Sequence, residues 1–265
     1  LWLYIACPRI PVDKYGRPWQ APYGLRKIEA KLLEEGFRAA VIDPDYVPHY
    51  VSRTGKALLI GHHDYFAMGP PSNEWWMITG KTPVNALSFQ EFISFPEIWE
   101  ARESRGLKII VGGPAAWQWL VNKEALKKWP VDTIVEGEGE RVIIELAEKI
   151  TNDEELPKHI VVKPGESPRI DEIPLIKYPS VNGLVEIMRG CPRGCKFCSV
   201  TARPLRYIPL DMIEKEIRVN MEAGVKHILF YSEDVLLYGA DIVRPRPEPL
   251  LRLHELVLKY LSLIH

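Results

Sequence analysis

Three of the four cysteines of this chain, Cys191, Cys195 and Cys198, stand in the run Met188-Arg189-Gly190-Cys191-Pro192-Arg193-Gly194-Cys195-Lys196-Phe197-Cys198-Ser199. The C-x3-C-x2-C spacing, with a glycine before each of the first two cysteines, lets the segment curl round one metal centre and offer it three thiolates. A structural zinc takes four protein ligands in a closed tetrahedron. The next histidine, His227, has no cysteine beside it to complete such a set. A four-iron cluster normally takes four cysteines, so three leave one iron open to an outside ligand. That vacancy is where chemistry can happen. Cys7 ends an apolar run and reads as a small buried hydrophobe rather than a ligand.

The spacing, with the aromatic Phe197 just before the last cysteine, resembles the radical S-adenosylmethionine (SAM) enzymes. The resemblance implies a [4Fe-4S] cluster on Cys191, Cys195 and Cys198, with SAM chelated to the open iron through its amino and carboxylate groups. It further implies an electron donor such as ferredoxin or flavodoxin, and a 5'-deoxyadenosyl radical as the product of reductive SAM cleavage. The cofactors then carry the hard chemistry and the protein positions them.

The elements that must do this positioning alternate short apolar runs with amphipathic stretches, a pattern of strand-helix-strand units and a parallel sheet. In residues 1–150, strands are predicted at Leu1–Cys7, Ala39–Asp43, Ala57–Gly61, Leu107–Val111 and Thr133–Val135. Helices are predicted around Leu25, Ile28 and Leu32 before Gly36, over Pro96 to Ser104, and over Arg141 to Ile150. Residues 151–180, rich in Pro, Glu and Lys, read as a linker with a hairpin near Ile160-Val161-Val162. From 181 to 265 come a strand at Leu184–Met188, the cysteine loop, a helix from Asp211 to Ala223, a strand at His227–Tyr231 and a last helix bearing Leu250, Leu253, Val257 and Leu261 on one face. This last stretch is less than half of the roughly 200 residues a complete β/α barrel takes. With Leu1 in place of a start methionine, the chain reads as the front part of a longer protein.

Glycine-rich loops follow the strands of the first domain, but no G-x-G-x-x-G follows the first strand. Gly112-Gly113-Pro114 ends the fourth strand, and Glu136-Gly137-Glu138-Gly139 follows the fifth. Glycines there allow close backbone approach to a large ligand, and equally make ordinary tight turns. Gly61-His62-His63-Asp64-Tyr65 adds polar groups at the same edge, as cofactor contacts or as a hydrogen-bonded loop. Trp75, Trp76 and Trp99 could shape a pocket, although burial in a core is the commoner fate of tryptophan.

Taken in order with the cysteine run, these loops resemble the cobalamin-binding subgroup of radical SAM enzymes. The resemblance implies an α/β fold: a Rossmann-like doubly wound cobalamin-binding domain followed by the first units of a partial TIM-type (β/α)6 radical SAM barrel. The implied cobalamin contacts are Tyr15, Arg17, His62, His63, Asp64, Gly112, Gly113, Pro114, Glu136, Gly137, Glu138 and Gly139. Cobalamin-binding domains commonly offer cobalt a histidine from D-x-H-x-x-G. Here the stretch is Asp13-Lys14-Tyr15-Gly16-Arg17-Pro18, with Tyr15 at the histidine position, so no histidine ligand is expected from it.

SAM's ammonium presents donors that must not be buried unpaired. By resemblance Ser232, Glu233 and Asp234, after the strand Ile228-Leu229-Phe230-Tyr231, receive it, with Phe197 also at the SAM site. Arg203 and Arg206 are candidates for the SAM carboxylate or for a phosphate. Lys plus Arg total 34 against 35 Asp plus Glu, which gives no global electrostatic case for nucleic acid. No apolar run approaches the ~20 residues that cross a bilayer, and no signal-peptide pattern is present. The cysteine usage suits a reducing cytoplasm.

The function expected from the resemblance is a cobalamin-dependent radical SAM methyltransferase acting at an unactivated carbon. The alternatives are a radical SAM cyclase or rearrangement enzyme, a methylthiotransferase-like enzyme without cobalamin, and a non-catalytic cobalamin sensor whose cysteines hold a structural metal.

Overall fold

A computed structural model of the chain describes residues 9–198 and 203–260. It divides into two compact units, one built from residues 14–17 and 42–163, the other from 18–41 with 9–13 and the chain from 164 onward.

The first unit is a parallel sheet. Strands β1 (Ala57–Gly61), β2 (Lys108–Gly112), β3 (Thr133–Glu136) and β4 (His159–Val161) lie in the order β1-β2-β3-β4. Leu58 pairs with Ile109, Ile110 with Thr133, and Val135 with Ile160. Successive residues of a strand face opposite sides, so a strand covered on both faces is apolar throughout. The run Ile109-Ile110-Val111 shows this. Ile109 and Val111 pack with Ile93, Ile98 and Trp119, whereas Ile110 packs with Val135, Leu146 and Ile150. The helix Val142–Thr151 supplies Leu146 and Ile150, and Pro96–Arg105 supplies Ile98 to the opposite face. Proline in the first turn and left-handed Gly106 after the last begin and end that second helix. Asp132 then pins it to the sheet, because its carboxylate takes a two-pronged ion pair from Arg102 and accepts the Ile109 N–H at 2.8 Å.

The second unit contains the cysteine run. Strand β5 (Leu184–Glu186) pairs in parallel with β8 (Leu229–Tyr231), and the helix Leu210–Glu222 forms part of the connection between them. A short antiparallel ribbon, β6 (Met188–Arg189) with β7 (Arg206–Tyr207), closes the base of the cysteine loop. Val185, Ile187, Met188, Ile213, Ile217, Leu237 and Leu253 form the core. The helix Tyr23–Glu34 belongs here as well. Its buried Lys27 donates to Glu216 Oε1 at 2.6 Å and to the Pro174 carbonyl at 2.7 Å, and Tyr23 Oη donates to Glu216 Oε2 at 2.6 Å. Burial first, and the Glu216 charge next, hold the Tyr23 hydroxyl's proton far more tightly than in water.

Several expectations are corrected. Residues 39–43 form no strand; the Val41 N–H donates instead to the side chain of Glu29, which ends the need for a strand neighbour. The helix Tyr23–Glu34, expected in the first domain, packs in the unit of the cysteine run because its buried face carries Lys27 and Tyr23, whose partners lie at 174 and 216. The supposed hairpin near 160 is β4, a fourth parallel strand. A doubly wound sheet reverses its strand order at a switch point; among the described residues the order runs in one direction, so an α/β parallel sheet is what stands here. Leu1–Cys7 and Leu261 lie outside the described residues. No helix among the described residues is long and apolar enough to cross a membrane.

Each unit offers a direct stability test. Lys27→Met strips a buried carboxylate of its cation, and removing one member of a buried pair costs about 3–5 kcal/mol. Asp132→Ala leaves the Ile109 N–H and Arg102 without their acceptor, for a loss of about 2–4 kcal/mol. Urea unfolding followed by circular dichroism should show both losses, and a change under about 0.5 kcal/mol, the level of an ordinary surface substitution, would contradict the role given to either group.

Candidate metal centre

The cysteine loop leaves β6 at Gly190. That glycine has φ +78°, and a Cβ there would stand 2.7 Å from the carbonyl oxygens of Arg203 and Pro204. The two arms of the loop therefore meet at a place that admits no side chain. Beyond it come Cys191, packed against the edge of the core, then Cys195 and Cys198; all three are half-buried and none is in a disulfide. The Cys198 N–H donates to the Cys195 carbonyl at 3.1 Å, giving the last stretch a turn. Phe197, between them, is 92% exposed.

Among the described residues no group of three or more His, Cys, Asp or Glu side chains is gathered so as to hold one metal ion. A cubane cluster spreads its thiolates over separate irons, so it asks for three thiols around a larger object. The donor set fits that request in chemistry: three thiols on one loop, outside any disulfide.

The segment Ser232-Glu233-Asp234 follows β8, next to the strand that leads into the cysteine loop. Arg193, inside the C-x3-C spacing, joins the two: its Nη2 donates to Asp234 Oδ2 at 2.7 Å. That hydrogen bond first, and the Asp234, Cys191 and Cys195 charges less so, hold the Arg193 proton even more firmly than usual. Asp234 Oδ1 accepts the Leu236 N–H at 3.1 Å and so caps the turn Val235–Leu237. Arg203, on the far arm of the loop, lies 3.8 Å from Glu233. Tyr231, at the end of β8, has its hydroxyl pushed above the ordinary value by burial, then by the Glu233 and Glu186 charges. Arg206 instead donates to the Pro204 and Pro168 carbonyls, so its role is to tie the loop base. Arg193 went unnoticed as a site residue in the sequence; the available signal was its place between the first two cysteines.

In the other unit the predicted loops do share one sheet edge. Gly112 ends β2, Gly113 and Pro114 turn after it, and the Ala115 N–H donates to the His62 carbonyl just after β1. Glu136 ends β3, and Gly137, Glu138 and Gly139 follow. The glycines, however, are matched to the chain itself. A Cβ on Gly113 would lie 3.1 Å from the His62 backbone, and one on Gly137 would lie 2.9 Å from Val162 Cβ. Glu136 pairs with His159 at 2.7 Å.

The polar cluster after β1 is likewise turned inward. Asp64 accepts from Met68 and Gly69 N–H and from Gln118 Nε2. Burial alone raises a carboxyl's pKa, but hydrogen bonds from Ser72, Gln118, Gly69 and Met68 outweigh it and hold Asp64 below the usual range. His62 Nδ1 accepts the Asp64 N–H, its ring packs near Tyr65 and Phe89, and burial then His63 lower its pKa. His63 is exposed. Tyr15 is exposed beside Lys14 and Arg17, and its carbonyl accepts the Tyr50 hydroxyl. Trp99 packs against the core and donates to the Ile93 carbonyl, whereas Trp75 and Trp76 are more than half exposed. A cobalamin cradle is thus poorly matched here: its glycines abut neighbouring backbone and side chains, and Asp64 serves its own loop.

Residues 185–263 match the Radical SAM superfamily. The chain is similar to several proteins named ribosomal protein uS12 methylthiotransferase RimO. That of Thermotoga petrophila is 30% identical over 174 residues, 64% of this chain and 38% of the relative. That of Chlamydia abortus is 31% identical over 129 residues, 47% of this chain and 27% of the relative. The Brucella anthropi protein is 34% identical over 89 residues, 32% of this chain and 20% of the relative. The chain thus spans well under half the length of these curated relatives. Residues 185–263 of this chain, which carry the cysteine loop, thus have the sequence of a Radical SAM superfamily domain.

Proposed function

We propose that Cys191, Cys195 and Cys198 hold a [4Fe-4S] cluster and that the chain takes part in SAM-dependent methylthio transfer. The observation that carries the reading is the loop of three thiols outside any disulfide, bridged by Arg193 to the acidic end of β8. When bound, the reduced cluster supplies the electron that splits SAM into methionine and a 5'-deoxyadenosyl radical. The protein's own part is binding and orientation. Gly190 brings the loop arms together, Glu233 and Asp234 offer acceptors to an ammonium, Ser232 offers a hydroxyl, and the exposed ring of Phe197 offers an apolar face beside the third thiol. A ferredoxin- or flavodoxin-type protein is the proposed electron donor.

Methylthio transfer is preferred to cobalamin-dependent methylation for two reasons. The relatives are methylthiotransferases by name, and the loops once assigned to cobalamin are packed against their own chain.

After anaerobic reconstitution with iron and sulfide, the protein should show the broad visible absorbance of a thiolate-bound cluster, and Cys195→Ala should lose both it and reductive SAM cleavage. Retention of both by the variant would remove this cysteine from the site. With labelled SAM, the proposed reaction releases 5'-deoxyadenosine together with S-adenosylhomocysteine; deoxyadenosine alone points to another radical reaction, and neither product counts against SAM chemistry altogether. Corrin absorbance that stays with the protein through gel filtration after incubation with cobalamin would restore the cobalamin reading.

A further inference from the structure

We propose that the helix Ser72–Thr79, with the start of the helix Val84–Ile93 beside it, is a self-association surface that pairs with the same surface of a second copy of this chain across a two-fold axis.

The helix Ser72–Thr79 has the composition of an interior and the position of a surface. It reads Ser72-Asn73-Glu74-Trp75-Trp76-Met77-Ile78-Thr79, and none of these residues is buried. Consecutive residues of a helix step about 100° round its axis, so the four apolar ones in the middle face almost every direction. A helix apolar all round belongs in a core. Here Met77 and Ile78 are 71% and 84% exposed, and Trp75 and Trp76 more than half. Eight residues are also too few to hold a helix by themselves in water. The apolar surface runs on into the next helix, where Val84 and Leu87, one turn apart, are about half exposed. Asn85 Nδ2 donates to Ser72 Oγ at 3.3 Å and ties the two helix starts together. Pro71, Ser72, Glu74, Trp75, Ile78 and Pro83 line a shallow groove of about 360 Å³ there.

Area and charge select a second copy as the occupant. From their fractional exposures Trp75, Trp76, Met77, Ile78, Val84 and Leu87 leave about 700 Å² open, close to the roughly 800 Å² that each partner gives to an interface of standard size. The largest apolar patch on an ordinary monomer is about 300–600 Å². Glu74 stands in the first turn of the helix and Lys81 just past its end, both exposed, and neither has an ion-pair partner among the described residues. Laid antiparallel on its own copy, the helix brings each Lys81 towards the Glu74 end of the other. Two identical ion pairs then form and the opposed helix dipoles attract. Exposed pairs of this kind add little affinity, but they fix orientation. A partner of a single charge would satisfy only one end, whereas a two-fold pairing satisfies both and closes on itself.

Sedimentation velocity over a concentration series of the chain, reconstituted anaerobically, tests this. The parent should pass from monomer to dimer as concentration rises. Ile78→Asp should raise the dissociation constant at least tenfold, the effect of removing a central contact of an interface. Its far-UV circular dichroism and urea midpoint should stay those of the parent, because Ile78 packs on nothing within the chain. Glu74→Lys and Lys81→Glu should each weaken the dimer, and the double variant Glu74→Lys/Lys81→Glu should restore it. Cys195→Ala should dimerise as the parent does, so that the result does not depend on the cluster. A parent chain that stays monomeric at its highest soluble concentration overturns the proposal. So does a dimer that persists in Ile78→Asp, or one that the paired charge reversal fails to restore. Binding of a monomeric parent to phosphatidylcholine vesicles, lost in Ile78→Asp, would assign the surface to a lipid bilayer instead and overturn the proposal as well.

Discussion

The carboxylate of Glu216 is the constraint round which the unit of the cysteine run is organised. It is 2% exposed and accepts from Lys27 Nζ, Tyr23 Oη and the Ile176 N–H. Three distant stretches of chain thereby meet on one side chain: the helix Tyr23–Glu34, the irregular segment after β4, and the helix Leu210–Glu222. One turn along, Asn220 repeats the device, accepting the Ser180 N–H and donating to the Glu216 carbonyl. Irregular backbone can be buried only when its polar groups find partners. Glu216 and Asn220 are those partners, and they hold the buried backbone at Ile176 and Ser180 on either side of the exposed Lys177 and Tyr178. The Glu186 N–H, on β5, in turn donates to Tyr23 Oη at 3.2 Å, which carries the network to the strand that feeds the cysteine loop.

The sheet unit depends on something simpler. Its strands are apolar on alternate faces and helices cover both, so its stability comes from packing round Ile109, Ile110 and Trp119 rather than from a polar network. This difference explains what could be read in the sequence. β1, β2 and β3 were legible because short apolar runs bounded by glycine have few other uses. The helix Val142–Thr151 was legible from Val142, Leu146 and Ile150. β4 was not, because His159-Ile160-Val161 is an edge strand with a single half-buried side chain, and its neighbourhood is rich in proline and charge. The helix Tyr23–Glu34 was placed correctly along the chain and wrongly in space. Its buried face holds Arg26, Lys27 and Glu29, residues whose types suggest a surface, and only their distant partners reveal the burial.

At the site the legible part was local and the illegible part was pairwise. Cysteine spacing is a property of one segment and survives without a structure. The bridge from Arg193 to Asp234 joins residues 41 positions apart, and both types are ordinary on a surface. The glycine loops have a physical reason that sequence alone does not disclose. A glycine is needed wherever something comes close, and here what comes close to Gly113 and Gly137 is the chain's own neighbouring backbone and side chain. Composition cannot tell a ligand from a neighbouring strand.

The ribbon of β6 and β7 has a bearing on how a metallated protein is made. All three thiols lie between two short strands that are already paired, Met188 with Tyr207 and Arg189 with Arg206. Part of the entropic cost of closing the loop is thus offset by backbone pairing at its base. Small zinc domains work the other way, with metal binding supplying the folding free energy. Here the paired backbone itself holds the ends of the cysteine loop together.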